Sequence, residues 1–250
     1  MSAALSSPAD FSSLDFLARW EEEGKAHQAY GDYDWMADRL PPDVTTVLEI
    51  GCGAGYSTLA LLKKGYSVLA LDNREECLSR AAESGERPPA LSLLHADLRS
   101  LTETAKKTLQ NFRPDAIVCW LMGASAEDVG VAANTTRDEM GRFVAAYRET
   151  LHRAVALLAN DLSSVRYAHL VDRTAIPWQG KEHGREILAQ YHLRQTFSGL
   201  PFAASRRDSL YRKLETGAEL TELRHTHPGL KSVAPALASL CLKRINLAQS

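Results

Sequence analysis

The chain has 250 residues, a hydrophobic fraction of 45%, a charged fraction of 24% and a formal net charge of −2. That length suits one large α/β domain, or a domain with a cap. The near-neutral balance gives no global field to attract a polyanion, and no stretch approaches the roughly 20 apolar residues of a membrane span.

The chain opens MSAALSSPADFSS, which lacks both a basic start and a long apolar core, so no secretory signal is read there and a cytoplasmic location is expected. Residues 1–13 are Ser/Ala-rich and expected to fray. From Leu14 to Leu40 the spacing is helical, with Phe16, Leu17 and Trp20 ahead of a ring-rich patch, YGDYDWM, and Pro41-Pro42 as the stop. Residues 1–40 are therefore expected to form an N-terminal helical segment, and 41–250 the main domain.

An alternation follows. VTTVLEI, YSVLALD, ALSLLHAD and PDAIVCWL are short apolar runs with the composition of buried strands. Between them, STLALLKKG, REECLSRAAESG and LRSLTETAKKTLQNF have helical spacing. Such an order predicts a doubly wound α/β fold, a mostly parallel sheet covered by helices on both faces. Further on, Thr136 to Asn160 reads as one or two helices, SVRYAHLVDR as a strand and Gly184–Phe197 as a helix. Phe202–Leu214 and Val233–Ile245 read as two closing strands, an antiparallel pair. Cys52, Cys77, Cys119 and Cys241 form no CxxC pair and read as small buried side chains in a reducing compartment.

The chemistry concentrates after the first strand, in VLEIGCGAGYSTLALLKKGYSVLALDN (Val47 to Asn73). A strand that turns sharply into a helix needs residues tolerant of positive φ, and bare backbone lets a ligand lie against amide groups at a helix N-terminus. Gly51, Gly53 and Gly55 meet that need. Asp72 closes the second strand, where an acid can accept hydrogen bonds from both hydroxyls of a ribose. The dinucleotide fingerprint GxGxxG would place a third glycine where this chain has Tyr56, which disfavours an NAD-dependent dehydrogenase.

The GxGxG spacing, preceded by Glu49, resembles motif I of the class I, Rossmann-like S-adenosylmethionine-dependent methyltransferases. The likeness runs from about Val44 to Trp120, and beyond that only to architecture. It implies a seven-stranded sheet with the last strand antiparallel, a small N-terminal helical lid, and substrate-cap insertions around residues 123–185. It implies S-adenosyl-L-methionine as cofactor, with S-adenosyl-L-homocysteine as product. By the same resemblance Glu49, Gly51, Cys52, Gly53 and Gly55 surround the bend, and Asp72 holds the ribose with help from Asn73. Asp97 would meet the adenine amino group and Leu98 would cover the ring. Trp120, at the end of strand 4 with Cys119 and Leu121, would lie near the methionine part. Two of these keep a second reading: Asp97 as an N-cap and Trp120 as core. Glu49 within an apolar strand demands a polar partner.

Methyl transfer is an in-line displacement that runs on alignment, and a base is needed only when the acceptor carries a departing proton. His169 and Asp172, on or just after a strand, are the candidate bases. Tyr30, Tyr33, Trp35 and Trp178 are candidate substrate contacts, the first three either in a lid or in a helix packing its rings on the domain. His152 reads as a surface or packing residue, and His225 and His227 as a loop; no metal is expected. The basic stretch Arg206-Arg207 and Arg212-Lys213 reads as a solvated strand edge.

The leading reading is transfer of a methyl group to an O or N atom of a small molecule (EC 2.1.1.-), by a monomer or homodimer that touches no membrane, with nucleic acid disfavoured but not excluded. The alternatives are a methyltransferase of RNA, DNA or protein, and a non-catalytic protein that keeps the cofactor pocket for regulation. Against the nucleic-acid reading stand the charge and the absence of an NPPY/DPPY-like stretch after strand 4, where the chain reads CWLMGAS.

Overall fold

A computed structural model describes residues 13–83, 90–123, 130, 137–214 and 233–245. The first twelve residues, parts of the expected 123–185 cap, and His225 and His227 lie outside the described residues.

The expected alternation is present. Four short strands, β1 (Thr46–Ile50), β2 (Ser67–Asp72), β3 (Leu91–His95) and β4 (Ala116–Trp120), are separated by α3 (Tyr56–Lys63), α4 (Glu75–Glu83) and α5 (Glu103–Phe112). All four strands pair in parallel, in the order β3-β2-β1-β4. Their side chains sort by parity onto two faces. Leu48, Leu69, Ile117 and Leu170 pack with Leu109, Leu151 and Val155 on one side. Val47, Val68, Val118 and Val171 pack with Met36 and Leu61 on the other. Strands buried on both faces explain why they read as nearly unbroken apolar runs.

Beyond β4 come α6 (Arg137–Asp161), β5 (Tyr167–Pro177) and α7 (Lys181–Tyr191). The helix expected to run through Phe197 changes at His192 into a π-helical turn, His192–Thr196. The sheet then closes with β6 (Phe202–Ala203), β7 (Ser209–Lys213) and β8 (Val233–Arg244). Among the described residues the sheet has eight strands at seven positions, one strand more than expected, and the last strand is antiparallel as expected. β8 lies inside it, antiparallel to β5 on one side and to both β6 and β7 on the other. β6 meets Lys243 and Arg244, whereas β7 meets Ala236 to Leu240, so the two share one edge position. What read as one strand from Phe202 to Leu214 is cut by a turn at Arg206–Asp208. Ser205 and Asp208 form a reciprocal capping box there, which satisfies the backbone locally and ends extension.

The N-terminal helical stretch is likewise divided, into α1 (Ser13–Ala29) and α2 (Asp32–Ala37). Gly31 stands between them at φ 68°, a left-handed conformation that stops α1 and re-aims the chain. α1 is thereby laid across the carboxyl end of the sheet.

Candidate functional site

The bend after β1 is built from left-handed backbone, with φ of 75° at Gly51 and 51° at Gly53. A Cβ on Gly51 would fall 2.6 Å from the flexible end of Met122, so it is the positive φ, more than this contact, that favours glycine there. Asp72 is buried beside the bend. Its Oδ2 accepts the Gly53 N–H at 3.1 Å and its Oδ1 accepts the Arg74 N–H at 3.0 Å. The acid that closes β2 therefore fixes the shape of the loop that follows β1.

Glu49 is 2% exposed and lies beneath the same loop. Thr58 Oγ1 donates to Oε2 at 2.6 Å, while Oε1 has no hydrogen-bond partner. Burial, helped by the nearby Asp72 charge, pushes this carboxyl up to about 7, against the pull of the Ser57 and Thr58 hydroxyls. A half-satisfied buried acid next to bare backbone is a group still owed a polar partner.

These groups open into a crevice at the carboxyl end of the sheet. Its floor is Gly51 to Ala54, with Tyr56 and Ser57 from the start of α3. One side is Asp72 and Asn73, and the other is Trp120 to Gly123, with Tyr147 and Arg173. Its roof is Trp20, Glu23, Gly24 and His27 of α1, with Tyr33 of α2. Arg173 Nη1 meets Glu23 Oε2 at 2.8 Å, tying β5 to the roof. Leu121, the residue just past β4, sits at φ 54°. Left-handed backbone at a non-glycine costs roughly 1–2 kcal/mol and gathers at functional sites.

His27 supplies the crevice with a titratable group. Its Nδ1 lies 2.8 Å from Asp32 Oδ2. Asp32 is 2% exposed, and its Oδ1 accepts from Arg212 Nε at 2.7 Å. A carboxylate can only accept, so Nδ1 carries the proton and a neutral His27 ring has its lone pair on Nε2.

The expected residues divide accordingly. Gly51, Cys52, Gly53, Asp72, Asn73, Trp120 and Tyr33 line the crevice. Glu49 and Gly55 support it from below, Gly55 as the residue preceding α3. Asp97 caps the short turn Leu98–Ser100 and is held by the Arg99 guanidinium at 2.8 Å, so its carboxylate is engaged outside the lining. Leu98 belongs to the apolar core. Tyr30 is 53% exposed. Trp35 is flanked by the guanidinium groups of Arg39 and Arg212, and Trp178 by Lys181; neither lines the crevice.

The two expected bases need correction. His169 is wholly buried, with Nδ1 accepting from Trp120 Nε1 at 3.1 Å and Nε2 2.8 Å from Ser239 Oγ. Burial holds it down to about 3, and both ring nitrogens are occupied, so it positions Trp120 instead of meeting a ligand. Asp172 is absent from the lining. It faces α6, where Arg148 Nε stands 3.5 Å and His152 Nε2 3.6 Å from its oxygens. His152, expected at the surface or in simple packing, is buried there together with His192.

The sequence reading missed Glu23, His27 and Tyr147, and gave no role to Arg173 beside Asp172. A signal for the first two existed: Trp20, Glu23, Gly24 and His27 recur at i, i+3, i+4 and i+7, one face of a helix. That face is polar enough that it did not read as a site.

Strand order, the glycine bend and the acid closing β2 together define the class I, Rossmann-like fold of S-adenosylmethionine-dependent methyltransferases. Residues 47–137 match the family model for a methyltransferase domain. That segment is a methyltransferase domain of this family, whose cofactor is S-adenosyl-L-methionine. The chain is 40% identical over 70 residues to the ribosomal RNA small subunit methyltransferase A of Zymomonas mobilis subsp. mobilis, covering 27% of this chain and 25% of that one. It is 27% identical over 81 residues to the protein YqeM of Bacillus subtilis (strain 168), covering 32% of this chain and 33% of that one. The chain thus spans a third or less of the length of these relatives. Among solved structures it resembles a delta-N METTL16 MTase domain, at 14% identity and a TM-score of 0.51, over 87% of this chain and 82% of that one. Among the described residues no helix is long and apolar enough to cross a membrane.

Proposed function

We propose that the protein transfers a methyl group from S-adenosyl-L-methionine to an O or N atom of a small molecule held under α1. The observation that carries this reading is the His27–Asp32 pair in the roof, an imidazole held by a buried carboxylate in the lining of the same crevice as the glycine bend. The crevice fits the cofactor on two counts. Glu49 Oε1 is a buried acceptor without a partner, as an ammonium-bearing amino acid moiety requires. The Gly53 position opens onto space where nothing lies within 4 Å of a Cβ. Bound there, the cofactor supplies an activated methyl on a sulfonium.

The residues of the chain then divide the work. Asp72 holds the ribose while bracing the bend, and Asn73 assists. Trp120, fixed by His169, and Tyr33 give apolar and aromatic faces that exclude water and favour a cationic sulfonium. His27 Nε2 accepts the proton that an O–H or N–H acceptor must lose, and Asp32 keeps the ring in the required tautomer. The α1–α2 segment acts as the lid over the domain that begins near residue 41.

A small acceptor is favoured by the charge of the crevice, whose described lining carries the acids Glu23 and Asp72 together with Arg173, itself paired with Glu23. Such a lining offers little to a phosphate backbone. The test is transfer of a labelled methyl group to a panel of phenols, amines and short RNAs. Turnover of small acceptors is expected, with His27→Ala lowering kcat by about 10²–10⁴-fold while the affinity for S-adenosyl-L-homocysteine stays within twofold. Turnover of RNA alone, or an unchanged kcat in His27→Ala, overturns the reading.

A further inference from the structure

A second constellation lies behind the crevice, on the α6 side of the sheet. His152 of α6, Asp172 of β5 and His192 at the start of the π-helical turn each present a ligand atom, all within 4.8 Å of one another. His152 is 3% and His192 5% exposed. Buried polar side chains are normally hydrogen-bonded, yet His152 Nε2 and Asp172 Oδ1 make only ion-pair approaches of 3.5–3.6 Å and no hydrogen bond. His192 is already oriented: its Nδ1 lies 2.9 Å from Thr196 Oγ1, the contact made by a π turn that brings residues 192 and 196 face to face. With Nδ1 so engaged, Nε2 is left to ligate, the arrangement by which an outer partner fixes a metal-binding imidazole. Single π turns occur often at functional sites.

We propose that His152, Asp172 and His192 bind one divalent transition-metal ion, zinc by chemical preference. Two imidazoles and one carboxylate form a donor set that zinc takes with a fourth position open. Ligand atoms about 2.0–2.1 Å from a tetrahedral ion stand roughly 3.3 Å apart. The 3.6 Å between His152 Nε2 and Asp172 Oδ2 is close to that spacing, so a modest swing of His192 completes the set. Arg148 stands 3.5 Å from the other carboxylate oxygen, which turns Oδ2 toward the imidazoles. The ion would pin α6, β5 and the π turn together. Arg173, next to Asp172, and Tyr147, five residues before His152 on α6, line the crevice, so the pin also sets the far wall of the acceptor site. The proposal does not rest on the identity of the cofactor.

The test uses the full chain, stripped with a chelator and titrated with Co²⁺ as a spectroscopic probe and then with Zn²⁺. One Co²⁺ per chain is expected, with a visible d–d band that Zn²⁺ displaces and an unfolding temperature that rises on binding. His152→Gln and His192→Gln should each lose the band, while a His225→Gln/His227→Gln double variant should keep it. Binding of S-adenosyl-L-homocysteine, measured alongside, separates this site from the crevice. No stoichiometric binding to the wild type, a band that survives in the His152 and His192 variants, or its loss in the His225/His227 variant overturns the proposal. If the single variants do not fold, the wild-type stoichiometry and the His225/His227 variant still decide it.

Discussion

Gly24 of α1 lies so close to the ring of Tyr56 that a Cβ on the glycine would fall 2.4 Å from Tyr56 Cδ2. The lid helix therefore sits on the first residue of α3 through a contact that only glycine permits. Gly123 makes a similar approach from below, 2.7 Å from Trp20 Nε1 by the same measure. Two gaps in side-chain bulk seat α1 over the crevice.

Gly24→Ala sets two effects against each other. Alanine gains about 1 kcal/mol of helix propensity. Overpacking against a held ring costs about 1–3 kcal/mol. The clash should win, lowering stability to urea and speeding hydrogen exchange in α1. Adding Tyr56→Ala should relieve it, and a double-mutant cycle reads the coupling directly. A Gly24→Ala protein more stable than wild type would show that α1 does not rest on Tyr56.

Arg113 is an exposed residue at φ 53°, ending α5 in the left-handed conformation. Its side chain gains nothing from that geometry. Arg113→Gly should stabilise the fold by about 1 kcal/mol in denaturant titrations, with cofactor affinity unchanged.

Glu49 and His169 give the fold a pH signature of opposite signs. Glu49 is pushed from an ordinary 4.5 up to about 7 by burial, so the folded chain keeps a proton that the unfolded chain releases. Stability from this group falls as pH rises from 4.5 to 7, by about 1.4 kcal/mol per unit. His169 is held down from 6.5 to about 3, also by burial, so the unfolded chain takes up a proton first. Its contribution is complete above 6.5 and is lost as pH falls toward 3, with a similar slope. Between 4.5 and 6.5 the two nearly cancel. Unfolding curves across that window should show Glu49→Gln gaining on the wild type as pH rises, on the order of 3 kcal/mol by pH 7. A difference independent of pH would mean that Glu49 is not buried in an acid-retaining site.

Asp72→Asn tests the double duty assigned to this acid. It keeps the size of the side chain but loses the charge that accepts the Gly53 and Arg74 N–H groups. Calorimetry should show cofactor binding weakened by about 1.5–3 kcal/mol, the worth of a hydrogen bond to a charged group. Circular dichroism should show the fold intact.

The sheet from β1 to β4 was legible because each strand is a short local run, and the glycine bend because three glycines within five residues admit few other readings. Asp72 followed from its place at a strand end. What stayed hidden depends on contacts between distant segments. Asp32 and Arg212 are 180 residues apart, and no local pattern announces that one braces His27 against the other. His152, Asp172 and His192 are separated by twenty residues each, on three different elements, so their meeting is a product of topology. His169 looked like a base because it stood on the right strand; parity sent it to the interior, against Trp120 and Ser239. The edge strand split because Ser205 and Asp208 satisfy the backbone locally, a signal shorter than the strand pattern that surrounded it.

The measurement that bears most directly on the account is isothermal calorimetry of the intact chain with S-adenosyl-L-homocysteine and, separately, with NAD. One-to-one binding of the former in the micromolar range, with no comparable heat from NAD, is the predicted result. Saturable binding of NAD with none of the homocysteine nucleoside would mean that the glycine bend and Asp72 serve a dinucleotide, and the methyl-transfer account would be wrong.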